Sequence, residues 1–128
     1  MAGRGESASE RGRRAEDAAA AWLERQGFQV LARNHATRRG EVDLVCREGE
    51  TVCFVEVRSR SRLDHGSPAE SVTPAKARRV VAAAKDWALR HGGLEGRVRF
   101  DVVAVEWRED GPRLALYRGA FDSAGRPA

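Results

Sequence analysis

Apolar positions along the chain change their spacing several times, and each change marks an element. Between residues 10 and 26, Ala15, Ala18, Ala19, Trp22 and Leu23 recur at helical spacing and Gly27 supplies a stop, which predicts a helix with one buried face. Residues 28–31 predict a first strand, and residues 34–40 are polar and basic enough for a turn. Two β-rich runs follow, Gly40-Glu41-Val42-Asp43-Leu44-Val45 and Phe54-Val55-Glu56-Val57-Arg58-Ser59-Arg60. The turn signal Arg47-Glu48-Gly49-Glu50-Thr51 between them predicts an antiparallel hairpin. Residues 61–72, with Gly66 and Pro68, have no periodicity and read as a loop. Thr73 as N-cap and Pro74 at the first helical position then open a second helix that runs to about His91. Its stripe is Ala77, Val80, Val81, Ala84, Trp87 and Ala88, and Gly92-Gly93 ends it. Residues 98–107 and 114–120 predict two further strands around the turn Glu109-Asp110-Gly111-Pro112. The order αβββαββ is that of an α/β fold with a mixed sheet and a helix on at least one face.

The hairpin carries acidic residues where a buried strand should be apolar. Side chains alternate along a strand, so Glu41, Asp43 and Val45 share one face, as do Phe54, Glu56, Arg58 and Arg60. With Gly49 and Glu50 as the loop, Asp43 lies directly opposite Glu56, their Cβ atoms roughly 5 Å apart, where like charges repel. A divalent cation between them resolves the conflict. Hard oxygen ligands on a rigid hairpin suit Mg²⁺ or Mn²⁺.

Composition narrows the field only slightly. A chain of 128 residues with 41% hydrophobic content supports one core. Residues 1–9 read as a disordered N-terminal tail, 10–121 as a single domain and 122–128 as a C-terminal tail. The formal net charge of +4 favours an anionic partner, nucleic acid above others. Lys76 and Lys85 are the only lysines, so the basic character is almost wholly arginine. No stretch approaches the roughly 20 apolar residues of a membrane span, and the charged N-terminus is unlike a signal peptide. A cytoplasmic location is therefore expected, with no membrane partner. Cys46 and Cys53 face each other in the predicted hairpin and are expected to pack as small core residues, two sulfurs falling short of a zinc set.

The succession of the two hairpin runs, Gly66, the helix start at residues 72–76 and Arg99-Phe100-Asp101-Val102-Val103 resembles the YraN-like family of small bacterial proteins, over about residues 12–121. That family is similar to archaeal Holliday-junction resolvases and belongs with the restriction-endonuclease-like PD-(D/E)XK nucleases, whose common core is αβββαβ. The resemblance implies a mixed sheet flanked by helices and a Mg²⁺-dependent endonuclease acting on DNA, including branched or repair intermediates. Carried over by position, Asp43 matches the first metal-binding aspartate and Glu56 the glutamate of the ExK element. The backbone carbonyl of Val57 would be a third metal ligand, and Glu16 resembles a helix glutamate aimed at the metal.

Arg58 departs from this pattern, standing where a lysine is expected. An arginine can hold a phosphate but is effectively never deprotonated. Lys76 is the candidate replacement, with a phosphate contact or a solvated helix residue as the alternatives. Arg60 and Arg62 continue the third strand, and Arg38, Arg39, Arg78 and Arg79 lie in or beside loops that could flank the same cleft. As a group they are candidate nucleic-acid contacts. Glu41 reads as either a ligand or a solvent-facing residue, and Glu16 as either a site residue or a surface partner of an arginine such as Arg13. Asp101 reads as a structural hydrogen-bonding residue, His35, His65 and His91 as isolated surface residues, and Trp22, Trp87 and Trp107 as core.

Two functions follow from these readings. One is a Mg²⁺-dependent nuclease, supported by Asp43 and Glu56. The other is a nuclease-fold protein with weak or no catalysis that binds DNA or a protein partner, supported by Arg58. A single small domain with one site cuts one strand at a time, so symmetric cleavage would call for a two-fold homodimer.

Overall fold

The computed structural model describes residues 7–61, 72–92 and 96–127. The expected loop, with Arg62, His65, Gly66 and Pro68, lies largely outside those residues, as does Gly93. Helix α1 spans Ala8–Arg25 and starts inside the stretch expected as a tail, because the Ser7 side chain accepts from the backbone N–H of Glu10 and caps it. At its end Gly27 adopts φ +98°. The N–H groups of Gly27 and Phe28 bond back to the carbonyls of Glu24 and Leu23, a Schellman closure that requires this left-handed residue.

Strand β1 (Gln29–Thr37) is longer than the apolar pattern predicted. Pairing with β2 (Gly40–Glu48) extends it through Ala36↔Glu41 and Thr37↔Gly40, which leaves only Arg38 and Arg39 as the turn. Residues 34–37 are thus strand rather than turn, since tertiary pairing overrides local polarity. Asn34 tolerates its φ of +52°, and the Thr37 hydroxyl accepts from the N–H groups of Arg39 and Gly40 to close the turn.

Strand β3 (Thr51–Ser61) completes the expected hairpin around Gly49, with Cys46 opposite Cys53 as predicted. Helix α2 (Pro74–Arg90), capped by Thr73, crosses to β4 (Arg97–Arg108), which runs parallel to β3. Strand β5 (Gly111–Phe121) closes the sheet, whose order is β1-β2-β3-β4-β5 with one parallel pair. Both β4 and β5 are longer than expected and share a tighter turn at Glu109 and Asp110.

A helix covers each face of the sheet. Ala15, Ala19 and Leu23 of α1 pack on Leu44, Cys46, Cys53, Val55, Val103 and Val105. On the other face Ala77, Val80, Ala84 and Trp87 of α2 cover Val42, Val45, Phe54, Phe100 and Phe121. Phe54 contacts Trp87 edge-on with centroids 5.9 Å apart and stacks on Phe100 at 5.7 Å. Trp87 is core as expected, whereas Trp22 and Trp107 are only half-buried.

Beyond the strands, residues 122–127, expected as a tail, fold back as a turn. The Asp122 carboxylate accepts from the N–H groups of Ala124 and Arg126, and Pro127 bridges Phe121. Among the described residues no helix is long and apolar enough to cross a membrane.

One close approach ties the β1–β2 turn to α2. A Cβ on Gly40 would lie 2.0 Å from the carbonyl oxygen of Arg79, so only glycine fits. Gly40→Ala should therefore lower stability by about 1–3 kcal/mol, the scale of an overpacked core. Urea denaturation should show this as a lower midpoint with an unchanged slope, whereas Gly12→Ala, inside α1 and with open space at the Cβ, should raise the midpoint slightly through helix propensity.

Candidate functional site

The β2–β3 ladder runs from Glu48↔Thr51 to Leu44↔Val55, and the two strands part at the next position, where Asp43 meets Glu56. The backbone pairing is replaced there by a side chain, since the N–H of Val57 donates to Asp43 Oδ2 at 2.8 Å. Glu56 remains paired to β4 opposite Val102. Strict alternation is not kept across this break: Val42 joins Val45 in the α2-side cluster, while Leu44 faces α1.

Asp43 is 9% exposed and Glu56 4%, at the floor of a cleft of about 440 Å³. Gly12, Ala15 and Glu16 of α1 form one wall, and Lys76, Arg79 and Val80 of α2 form the other. Val57 and Ser59 line the β3 side, and Glu41 stands exposed at the rim. Small residues at positions 12 and 15 leave the space that Glu16 looks into. Their i, i+3, i+4 spacing with Glu16 puts all three on one face of α1 and is the sequence signal for this wall.

Burial, reinforced by the hydrogen bond and charge of Glu56, pushes the Asp43 carboxyl up to about 8, while the Val57 N–H and Lys76 pull it down. Glu16 is also raised, first by burial and then by Asp43 and Glu41, against a hydrogen bond from Asn34. Glu16 thus belongs to the cleft and is not a surface partner of Arg13. Lys76 brings its Nζ to 3.6 Å from Glu56 Oε2. Its place in the first turn of α2, with its N–H on the Thr73 cap, aims it at the acidic pair.

Other candidates separate by position. Arg79 lines the cleft, but Arg38, Arg39 and Arg78 line a different groove on the other flank of α2. Arg58 and Arg60 are half-buried on β3, and the cleft wall contains their neighbours Val57 and Ser59 instead. Arg62 lies outside the described residues. Trp107 donates its indole N–H to the Ser59 hydroxyl at 2.7 Å, with the Arg14 guanidinium 4.4 Å above its ring, so it supports the cleft's edge.

Asp101, fully buried, has the structural role expected of it. It accepts two hydrogen bonds from Arg99 at 2.8 Å and one from the Gly119 N–H at 2.9 Å. Cys46 and Cys53 are free buried thiols, raised to about 12 chiefly by burial. Two histidines expected to be isolated have partners. His35 Nε2 lies 2.8 Å from Asp86 Oδ2, and His91 stacks on Trp87 at 3.9 Å. No local pattern announces the first, which joins positions 51 apart, whereas the second is an i, i+4 pair at the end of α2 that helical spacing brings together. Among the described residues no three His, Cys, Asp or Glu side chains stand together in metal-holding geometry.

Comparison with known proteins supplies the family. Residues 15–105 match the family described as uncharacterised protein family UPF0102. A UPF0102 protein of Anaeromyxobacter sp. is 69% identical over 117 residues, 91% of this chain and 88% of that one. A UPF0102 protein of Anaeromyxobacter dehalogenans is 58% identical over 98% of this chain and 93% of its own, and one from Geobacter sulfurreducens is 44% identical over 88% and 89%. With the family match covering most of the domain, and with relatives matched along nearly their whole length, the chain belongs to the UPF0102 family, the YraN-like group whose motifs its hairpin carries.

Proposed function

We propose that the cleft is the active site of a Mg²⁺- or Mn²⁺-dependent nuclease that hydrolyses phosphodiester bonds, with DNA as substrate. The observation that carries this reading is the buried Asp43–Glu56 pair open to a cleft and faced by the Lys76 ammonium at 3.6 Å. Two buried carboxyls at the end of a β-ladder are unfavourable without a cation. In the metal-free protein the raised Asp43 carboxyl retains a proton.

The donor chemistry fits a hard divalent ion. Asp43 and Glu56 would hold it, with the carbonyl of Val57 as a further oxygen, and water and phosphate oxygens would complete the shell, as Mg²⁺ prefers. A bound ion of this kind lowers the pKa of an attacking water and offsets charge on the phosphate.

The chain's own groups have separate tasks. Hydrolysis adds water oxygen to phosphorus, breaks the bond to the leaving oxygen and requires a proton for that oxygen. Lys76 is the lysine at the cleft and can carry this proton, which Arg58 cannot. Arg79 supplies positive charge at the rim, and Glu16, held above the ordinary carboxylate range, can orient water. A second copy of the chain related by a two-fold axis would be needed to cut both strands of a duplex together. The competing reading, nucleic-acid binding without cleavage, draws on Arg58 in the lysine position and on the absence of a three-residue metal cluster among the described residues.

Cleavage of labelled branched, nicked, single-stranded and linear DNA in Mn²⁺ or Mg²⁺ tests the proposal. Asp43→Ala and Glu56→Ala should each lower the rate by roughly 10²–10³-fold, the effect of removing one preorganised electrostatic group. Lys76→Ala should lower it by about 10²-fold or more, while Arg58→Lys changes it far less. Wild-type protein that binds every substrate and cuts none would leave the binding reading in its place.

Stability provides an independent check. Asp43 holds its proton to about pH 8 when folded, against a reference value of 3.8, so its contribution to stability falls as pH rises between these values. Asp43→Asn retains an acceptor for the Val57 N–H without the charge. At pH 8 it should melt roughly 3–5 °C above wild type, the shift made by about 1 kcal/mol in a domain of this size, with the two converging near pH 4. Mn²⁺ should raise the wild-type melting temperature at pH 8 and leave that of Asp43→Asn in place.

A further inference from the structure

The second groove lies between the β1–β2 turn and the outer flank of α2, away from the acidic pair. Arg38 and Arg39 line it from the turn, and Arg78, Lys85 and Arg90 from the helix, with Asp86 as the sole carboxylate among the described lining residues. Five cations thus face one carboxylate, an excess equal to the formal +4 of the whole chain. Asp86 is already engaged, accepting from Arg90 Nε at 2.8 Å with His35 Nε2 also 2.8 Å away. Arg38, Arg39, Arg78 and Lys85 are exposed, and no side-chain ion pair joins any of them to a described residue. Exposed like charges gathered with a single, already engaged carboxylate among the described lining residues repel one another, so the arrangement favours an anionic partner.

The fold builds this groove. Arg78, Ala82, Lys85 and Leu89 follow one another at i, i+4, i+7 and i+11 on α2, a single flank of the helix. Lys76 and Arg79 occupy the flank that faces the acidic cleft. The tight seat of Gly40 on the Arg79 carbonyl holds the arginines of the turn beside α2. From Arg78 to Leu89 the groove runs about 16 Å along the helix, the length of about five base-pair steps measured along a duplex axis at 3.4 Å each. Its lining includes the exposed Leu89 and Ala36, apolar surface suited to the sugar faces between phosphates.

We propose that this groove is a second nucleic-acid contact, seating the phosphodiester backbone several nucleotides from the bond held at Asp43 and Glu56. It deepens the nuclease reading and rests on it for the direction of the strand. The anionic backbone passes over the first turn of α2, with Arg79 on the cleft side and Arg78 on the groove side.

The test is salt-dependent binding of a fluorescent 20-base-pair duplex and of the single strand, measured in EDTA so that no cleavage enters. Arg78→Ala/Lys85→Ala should reduce the slope of log affinity against log salt for the duplex by about 2, and the affinity roughly thirtyfold at 0.15 M salt, the counterion-release share of two contacts. The charge-retaining Arg78→Lys/Lys85→Arg should restore the slope, and Arg25→Ala/Arg97→Ala, exposed cations outside the groove, should leave it unchanged. Unchanged slope and affinity for both probes in the first variant overturn the proposal. So does a variant that loses only poly-glutamate binding, which would assign the groove to an acidic peptide. Wild-type protein that binds with the expected slope but never cuts sinks the nuclease reading and leaves the groove standing.

Discussion

Everything at the candidate site depends on the meeting of two buried carboxyls where β2 and β3 part. Asp43 and Glu56 are removed from water by helices on both faces of the sheet, and burial together with the neighbouring Glu56 makes Asp43 harder to ionise. A purely structural solution would place apolar side chains at both positions. The chain instead keeps the pair, opens a cleft above it and brings the first turn of α2 close enough for Lys76 to reach Glu56.

The same strand device occurs twice with opposite outcomes. At Asp43 and at Asp101 a carboxylate accepts a neighbouring strand's backbone N–H where the ladder is irregular or ends. Asp101 is then neutralised by both nitrogens of the Arg99 fork, and Arg99 also reaches Glu48, whose carboxyl Arg118 and Arg99 hold down at about 2. That end of the sheet is electrostatically complete. Asp43 instead accepts from the backbone N–H of Val57, with Lys76 among the charges that lower it. Its compensation is a raised carboxyl hydrogen-bonded to Glu56 and a lysine that reaches that neighbour. The difference in counter-charge, more than the aspartate itself, separates a staple from an acidic group left open to a cleft.

Helix α2 links the two surfaces that remain incompletely neutralised. Its buried stripe of Ala77, Val80, Ala84 and Trp87 fixes its rotation on the sheet. That rotation sends Lys76 and Arg79 to one flank and Arg78 and Lys85 to the other. Gly40 sets its distance from the β1–β2 turn, so one backbone contact positions both groups of cations.

Local pattern alone determined the element order, the hairpin with Cys46 opposite Cys53, the N-cap of α2 and the nearness of Asp43 to Glu56, although the ladder ends before those two could pair directly. The family was legible in the same motifs. The length of β1 was not, since hydrogen bonds from β2 made strand of residues 34–37 that look like turn. Nor was the division of the arginines: Arg38, Arg39 and Arg78 seemed to share a cleft with Arg79, and only the packing angle of α2 places them on its other side. The contact of Lys76 with Glu56 and that of His35 with Asp86 likewise joined residues remote in the chain. Periodicity specifies which face a residue occupies within its own element, whereas the distance between faces of different elements is set by how their cores pack.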